Sequence, residues 1–151
     1  MVLAPDEPYY AEQYWRILLP YLKFLPMNAN ILDLGCGQGR FTIRLGEYFS
    51  GGTLVGCDIS ADAIAMAKNY AAKNSVNNID FRVQEISCCL KSIGENFADI
   101  IFFTEVVFCY PDWKSVLPEI IKSLRPGDII VMSFRSQYFK ELRFVRNRLW
   151  S

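Results

Sequence analysis

Five short runs of large apolar residues recur along the chain, separated by stretches whose apolar positions repeat at helical spacing. The runs are Ala29–Leu34, Thr53–Asp58, Ile79–Gln84, Asp99–Phe103 and Asp128–Phe134. The first, fourth and fifth are nearly unbroken in β-branched and large side chains, the pattern of strands covered on both faces, which favours a parallel sheet. Between the runs, Phe41, Leu45, Tyr48 and Phe49 share one helical face, and Trp113, Val116, Leu117, Ile120, Ile121 and Leu124 form a second stripe. Ala61–Ala72 reads as an alanine-rich helix with Ser60 as its N-cap and Asn74 near its end. Gly51-Gly52, Asn77-Asn78 and Pro126-Gly127 mark the joins. Strand and helix in alternation predict right-handed βαβ units and an open, doubly wound, mostly parallel α/β sheet of the Rossmann-like kind, with five strands recognisable.

Two segments flank this core of residues 29–134. Tyr10, Tyr14, Ile17, Leu18, Tyr21 and Leu22 predict a leading helix within residues 1–28, bent or interrupted at Pro20. Tyr138, Leu142, Val145 and Leu149 are spaced for a last helix over residues 135–151. That segment carries Lys140, Arg143, Arg146 and Arg148 against the single acid Glu141 and is read as a solvated outer face, a membrane surface or an acidic partner being the alternatives. The fifth strand is then left as an exposed edge, through which a homo-oligomer is expected to form if it forms at all.

Composition narrows the function. The 151 residues suffice for a single domain, and 52% hydrophobic content is enough to bury a core. Lys+Arg and Asp+Glu number 16 each, so no nucleic-acid partner held by a global basic field is expected. Histidine is absent, which removes Ser-His-Asp and Cys-His catalysis and every histidine metal site. The five cysteines form no C-x-x-C, and the vicinal pair Cys88-Cys89 suits neither a zinc knuckle nor a disulfide framework, so no metal is expected. Met1–Glu7 lacks a basic, secretory-type start, and no stretch nears the ~18 apolar residues of a membrane span. The expectation is a reduced, cytoplasmic protein with no membrane partner.

The most informative segment is Asp33-Leu34-Gly35-Cys36-Gly37-Gln38-Gly39-Arg40-Phe41. A strand ends, three glycines alternate and a helix begins, so the chain turns sharply and its backbone can approach a ligand. The pattern is G-x-G-x-G. A dinucleotide loop wants its third glycine where Arg40 stands, which weighs against a nicotinamide-dependent oxidoreductase. No G-K-[ST] follows, which excludes a P-loop. Asp33 would repel a pyrophosphate and suits a ligand bearing positive charge. Asp58 closes the second strand about 20 residues beyond the loop, where an acid can accept from both hydroxyls of a ribose. Its other reading is a helix N-cap, for which Ser60 is better placed.

The glycine segment resembles motif I of the class I S-adenosylmethionine-dependent methyltransferases, and motifs follow in that family's order from about Tyr10 to about Phe134. The resemblance implies S-adenosyl-L-methionine as cofactor, with its methionine part held by Asp33 and the loop Gly35, Cys36, Gly37 and Gly39. It makes Asp58 the ribose-binding acid and sets Ile59 beside the adenine. After the third strand it gives Glu85 the adenine amino group and the Ile86 backbone N–H a ring nitrogen, a solvated loop glutamate being the alternative for Glu85. At the end of the fourth strand it places carbonyls near Thr104 against the cofactor's amino group, with the residues that follow facing the acceptor. Neither Asn-Pro-Pro-Tyr nor Asp-Pro-Pro-Tyr occurs, which argues against the enzymes that methylate amino groups of nucleobases and glutamine through those motifs. Leu124–Asp128 resembles the tight turn before the fifth strand.

The implied function is methyl transfer to an oxygen or nitrogen of a small-molecule acceptor. A general base is needed only where the acceptor must lose a proton. With histidine absent, the candidates are Glu105, Tyr110 and Asp112, although Tyr110 also suits a packed aromatic and Asp112 a helix N-cap. Tyr9, Tyr10, Tyr14 and Trp15 either pack the leading helix or, Tyr14 above all, cover the sulfonium by cation–π attraction. Members of the family carry two further antiparallel strands that this sequence does not announce. The alternative function is therefore a cofactor-binding module, inactive alone and completed by a partner chain.

Overall fold

A computed structural model of the chain describes residues 7–107, 109–135 and 140–146. In chain order the elements are α1 (Glu7–Leu22), β1 (Ile31–Leu34), α2 (Arg40–Tyr48), β2 (Leu54–Asp58), α3 (Ala61–Lys73), β3 (Ile79–Val83), α4 (Ile86–Ile93), β4 (Ala98–Phe103), α5 (Trp113–Ser123), β5 (Leu124–Arg135) and β6 (Lys140–Arg146). The strands form one sheet in the order β3-β2-β1-β4-β5-β6. β1 to β5 pair in parallel and β6 runs antiparallel to β5. The order reverses between β1 and β4, because β2 and β3 build outward on one side and β4 to β6 on the other. In open α/β sheets such a reversal opens a crevice at the strands' carboxyl ends.

Alternate strand residues feed two cores, as the unbroken apolar runs require. On one face Ile31, Leu54, Ile100, Phe102 and Val131 pack against Trp15, Leu18 and Leu22 of α1 and against Leu45 of α2 and Phe49 just beyond it. On the other, Leu32, Leu34, Cys57, Ile101, Phe103 and Met132 meet Cys89 and Leu90 of α4 and Val116 and Ile120 of α5. Ile64, Ala67 and Ala71 of α3 close over Phe81 of β3 and Ile43 of α2. Ser60 caps α3 by accepting from the Ala63 N–H at 3.2 Å, and Asn74 ends the helix, as the sequence predicts.

Four features depart from expectation. The predicted helix over 135–151 is not formed at its centre: residues 140–146 are β6, in register from Ile129↔Arg146 to Arg135↔Lys140. Leu142 and Val145 satisfy a helical period while Leu142 and Phe144 satisfy that of a strand, and the open edge of β5 offers a ladder of backbone partners that a short helix alone cannot match. Tyr138 and Leu149 lie outside the described residues, as do residues 1–6. The sheet therefore carries an antiparallel strand after the fifth, and the β5 edge, expected to be exposed, is paired. α4 was not anticipated. Of the bend or interruption expected at Pro20, the interruption does not occur, since α1 runs on to Leu22; near a helix end, proline removes a single hydrogen bond. Leu124–Asp128 belongs to β5 as an irregular stretch, the register passing from Ala98↔Leu124 to Ile100↔Ile129.

Candidate functional site

The chain leaves β1 at Leu34 and bends through Gly35 (φ 75°), Gly37 (φ 54°) and Gly39 (φ 72°) into α2. The N–H groups of Gly35 and Cys36 both donate to the Cys57 carbonyl, at 2.8 and 2.9 Å, which pins the loop to the end of β2. Two of the glycines serve different ends. A Cβ on Gly39 would lie 2.8 Å from Ala67 Cβ and from Phe81 Cζ, so this position lets α2 press onto α3 and β3. A Cβ on Gly37 would meet nothing within 4 Å. There the left-handed backbone faces open space.

Asp58 is bonded directly to Gly37. Its Oδ2 accepts from the Gly37 N–H at 2.9 Å and its Oδ1 from the Ser60 N–H at 2.9 Å. The carboxylate thus ties the glycine loop to the start of α3, while Ser60 does the capping. Beside it Ile59 is 75% exposed, a large apolar side chain left without cover. Asp33 is buried, and the Thr42 hydroxyl of α2 donates to its Oδ2 at 2.6 Å. Burial pushes the Asp33 carboxyl up to about 6; the Thr42 hydrogen bond opposes this and the neighbouring Asp58 charge adds to it. Burial, with the charges of Asp33 and Asp58, also pushes the Cys36 thiol up, so it is a protonated thiol and not a nucleophile.

The end of β3 joins the same edge, because the Gln84 N–H donates to the Asp58 carbonyl at 3.0 Å. Glu85, next in the chain, is neither a solvated loop residue nor idle. It is the N-cap of α4: its Oε2 accepts from the N–H groups of Ser87 and Cys88, at 2.9 and 3.3 Å, and from the Ser87 hydroxyl. Its Oε1 accepts from the Tyr110 phenol at 2.8 Å. The Ser87 hydroxyl foremost holds the Glu85 carboxyl down to about 2, against a desolvation that works the other way. The same contact with Glu85 pushes the Tyr110 phenol up to about 12, so at neutral pH it is a hydrogen-bond donor. Ile86 opens α4 with its side chain in the core and its amide among the N–H groups at the helix start.

On the other side of the crevice, Thr104 and Glu105 follow β4. Glu105 has φ 59°, a left-handed conformation that a residue with a Cβ rarely adopts. Its N–H donates to Ser133 Oγ of β5 at 2.6 Å, and its Oε1 accepts from the Tyr14 phenol of α1. Tyr14 is thereby brought to the site, while Trp15 packs edge-on to Phe41 and Tyr48 under the Arg44 guanidinium. The side chains of Tyr9 and Tyr10 lie outside the description. Val106 approaches Gly35, whose added Cβ would fall 2.3 Å from Val106 Cγ2, so the loops after β1 and β4 touch. Asp112 occupies the N-cap position of α5 without a side-chain cap.

The structure thus gathers Asp33, the glycine loop, Asp58, Glu85 and Ile86 on one stretch of the sheet's carboxyl edge and Tyr14, Thr104 and Glu105 beside it. Sequence reasoning missed Thr42 and Ser133. Each is a buried hydroxyl within an otherwise apolar pattern, a mismatch that signals a partner.

Comparison with known proteins then decides the family: residues 26–145 match the family model described as a methyltransferase domain. The chain belongs to the class I S-adenosylmethionine-dependent methyltransferases. This methyltransferase domain is similar to the trans-aconitate 2-methyltransferase of Azoarcus sp. (strain BH72), 28% identical over 88% of this chain and 51% of that protein. It is also similar to the tRNA 5-carboxymethoxyuridine methyltransferase of Escherichia coli (strain K12), 30% identical over 72% of this chain and 41% of that protein. Among solved structures it is similar to the PH0226 protein of Pyrococcus horikoshii OT3, with a TM-score of 0.69 and 28% identity over 83% of this chain and 55% of that one. The methyltransferase domain spans about half the length of the curated relatives it matches. Among the described residues, no helix is long and apolar enough to cross a membrane.

Proposed function

We propose that this domain binds S-adenosyl-L-methionine in the crevice between β1 and β4 and transfers its methyl group to an oxygen or nitrogen of a small-molecule acceptor. The observation that supports this best is the open space over Gly37, whose N–H is held by the Asp58 carboxylate. The donor set fits an adenosyl sulfonium. Gln38 Oε1 and Gln84 Oε1 are buried acceptors without a protein partner, next to the glycine loop and to Glu85. Ile59 offers an uncovered apolar surface to a flat ring, and Asp58 offers acceptors to a ribose.

In this reading Asp33, Gly35, Cys36, Gly37 and Gly39 hold the methionine part, Asp58 the ribose, and Ile59, Glu85 and the Ile86 amide the adenine. Thr104 and Tyr14 flank the reacting end. When bound, the sulfonium supplies an already activated methyl group, so alignment and desolvation of the acceptor are what the protein must add. α1 contributes by packing Tyr14 over the site. Glu105, held between Tyr14 and Ser133, is the group placed to take a proton from the acceptor. Tyr110, a donor to Glu85, is withdrawn from the role of base.

The balanced charge supports a small acceptor over RNA, and five unpaired cysteines suit a reducing compartment such as the cytoplasm. A second reading is a cofactor-binding module, inactive alone and completed by a partner chain. Titration calorimetry with S-adenosylmethionine and S-adenosylhomocysteine tests the first step. Micromolar binding of both is expected, and no heat with either would overturn the reading. Turnover of small acceptors by the chain alone would then reject the second reading, and turnover of tRNA alone would reject the small acceptor.

A further inference from the structure

Tyr110 lies outside the glycine loop and the strand ends, in the segment that leads from β4 into α5. Its ring packs against the core cluster beneath α4 and α5, and its phenol reaches back to Glu85, 25 residues earlier in sequence. The Glu85 carboxylate is divided. Oε2 is filled by three donors of the first turn of α4, whereas Oε1 accepts from Tyr110 and keeps a lone pair. A carboxylate held at one oxygen by its own helix can still pivot about that anchor. The phenol removes this freedom by fixing where Oε1 points. Gln84, the residue before it, is bonded to the end of β2, so the carboxylate is fixed relative to Asp58 as well.

We propose that Tyr110 is a positioning residue for nucleobase recognition: its phenol aims the free lone pair of Glu85 Oε1 at the exocyclic amino group of an adenine. This rests on the reading of the crevice as an adenosyl site. Tyr110 does not touch the reacting atoms and is not a catalytic residue. The arrangement predicts discrimination. An amino group donates to Oε1, whereas a carbonyl oxygen in the same place would face the carboxylate and be repelled. It also links the segment after β4 to the cofactor side of the crevice.

The test compares binding of S-adenosylhomocysteine with that of S-inosylhomocysteine, which carries a carbonyl in place of the amino group, by calorimetry. Wild type is expected to prefer the adenosyl compound. Tyr110→Phe, which keeps the ring and its packing, is expected to reduce that preference about fivefold. Glu85→Gln is expected to reduce it further, and Tyr110→Phe added to Glu85→Gln to change nothing more. Equal weakening of both compounds by Tyr110→Phe would show a structural role only and overturn the inference. So would an unchanged preference in the folded variant. Failure of wild type to bind either compound would overturn the adenosyl reading and this inference together, whereas tight wild-type binding with an unmoved preference overturns the inference alone.

Discussion

The phenol of Tyr14 donates to Oε1 of Glu105, a partner 91 residues further along the chain. One residue belongs to the leading helix, the other to the end of the fourth strand, and the bond joins α1 to the crevice at the reversal of strand order. Glu105 holds this place at φ 59°. A strained backbone persists where its surroundings over-determine it, and such residues gather at functional sites.

If Glu105 accepts the acceptor's proton, its carboxylate and its backbone make opposite demands. Glu105→Gly relaxes the left-handed conformation and is expected to leave the melting temperature unchanged or raised. The same change is expected to lower turnover by about 100-fold or more, as loss of a general base does. Tyr14→Phe keeps the ring and is expected to lower turnover less. Thermal melting beside steady-state rates checks both; full turnover in Glu105→Gly would exclude this residue as the base.

Gly37 and Gly39 share a left-handed backbone but differ in surroundings, so alanine should separate binding from folding. At Gly37 an added methyl meets no protein atom within 4 Å, and the expected loss of stability is that of the backbone conformation, about 1 kcal/mol. Cofactor affinity should fall steeply, because the methyl would enter the space the ligand needs. At Gly39 the methyl would strike Ala67 and Phe81, and the expected loss is larger, about 2–4 kcal/mol, with binding reduced mainly through unfolding. Denaturant curves and calorimetry on the two variants would expose any reversal of this order.

Asp33 makes stability depend on pH in a stated direction. Its folded carboxyl titrates near 6 against 3.8 in the unfolded chain. Its stabilising contribution is therefore full below about 3.8 and is lost as pH rises through about 6. The loss is of order 3 kcal/mol. Asp33→Asn, which still accepts from Thr42, should remove this loss, so the variant gains on wild type between pH 4 and 7. A bound cation would favour the ionised form, so cofactor affinity in wild type should rise over the same interval and stay flatter in Asp33→Asn. Parallel stability curves for the two proteins would contradict the assignment.

The parallel core was legible because strands β1, β4 and β5 are covered on both faces, and continuous apolar runs such as Ile100–Phe103 announce that state directly. The glycine loop was legible because its turn leaves a composition trace. The segment 140–146 was not: Leu142 and Val145 satisfy a helical period, and the deciding partner, the edge of β5, is a long-range fact. α4 was hidden by its length of 8 residues and by a cap of unusual type, a glutamate in place of the shorter side chains favoured there. Ile86, Cys89, Leu90 and Ile93 do fall at i, i+3, i+4 and i+7, so the signal was present though short. The Tyr110–Glu85 and Tyr14–Glu105 bonds left no trace in the sequence, since neither pair is close along the chain.

The capping role of Glu85 has a consequence apart from any ligand. Its carboxyl is held near 2 in the folded chain against an ordinary 4.5. A depressed acid contributes its stability above the unfolded value and loses it as pH falls toward the folded one. Glu85→Ala should therefore lower stability by about 1 kcal/mol at pH 7, the worth of a helix cap at a partly exposed position. The difference from wild type should shrink as pH falls from about 4.5 toward 2. Tyr110→Phe should show a smaller, similarly directed loss, because one of the bonds that favour the ionised form is gone. Urea unfolding at pH 7 and pH 3 measures this directly, and a Glu85→Ala penalty that is the same at both pH values would mean that the carboxylate charge does not support α4.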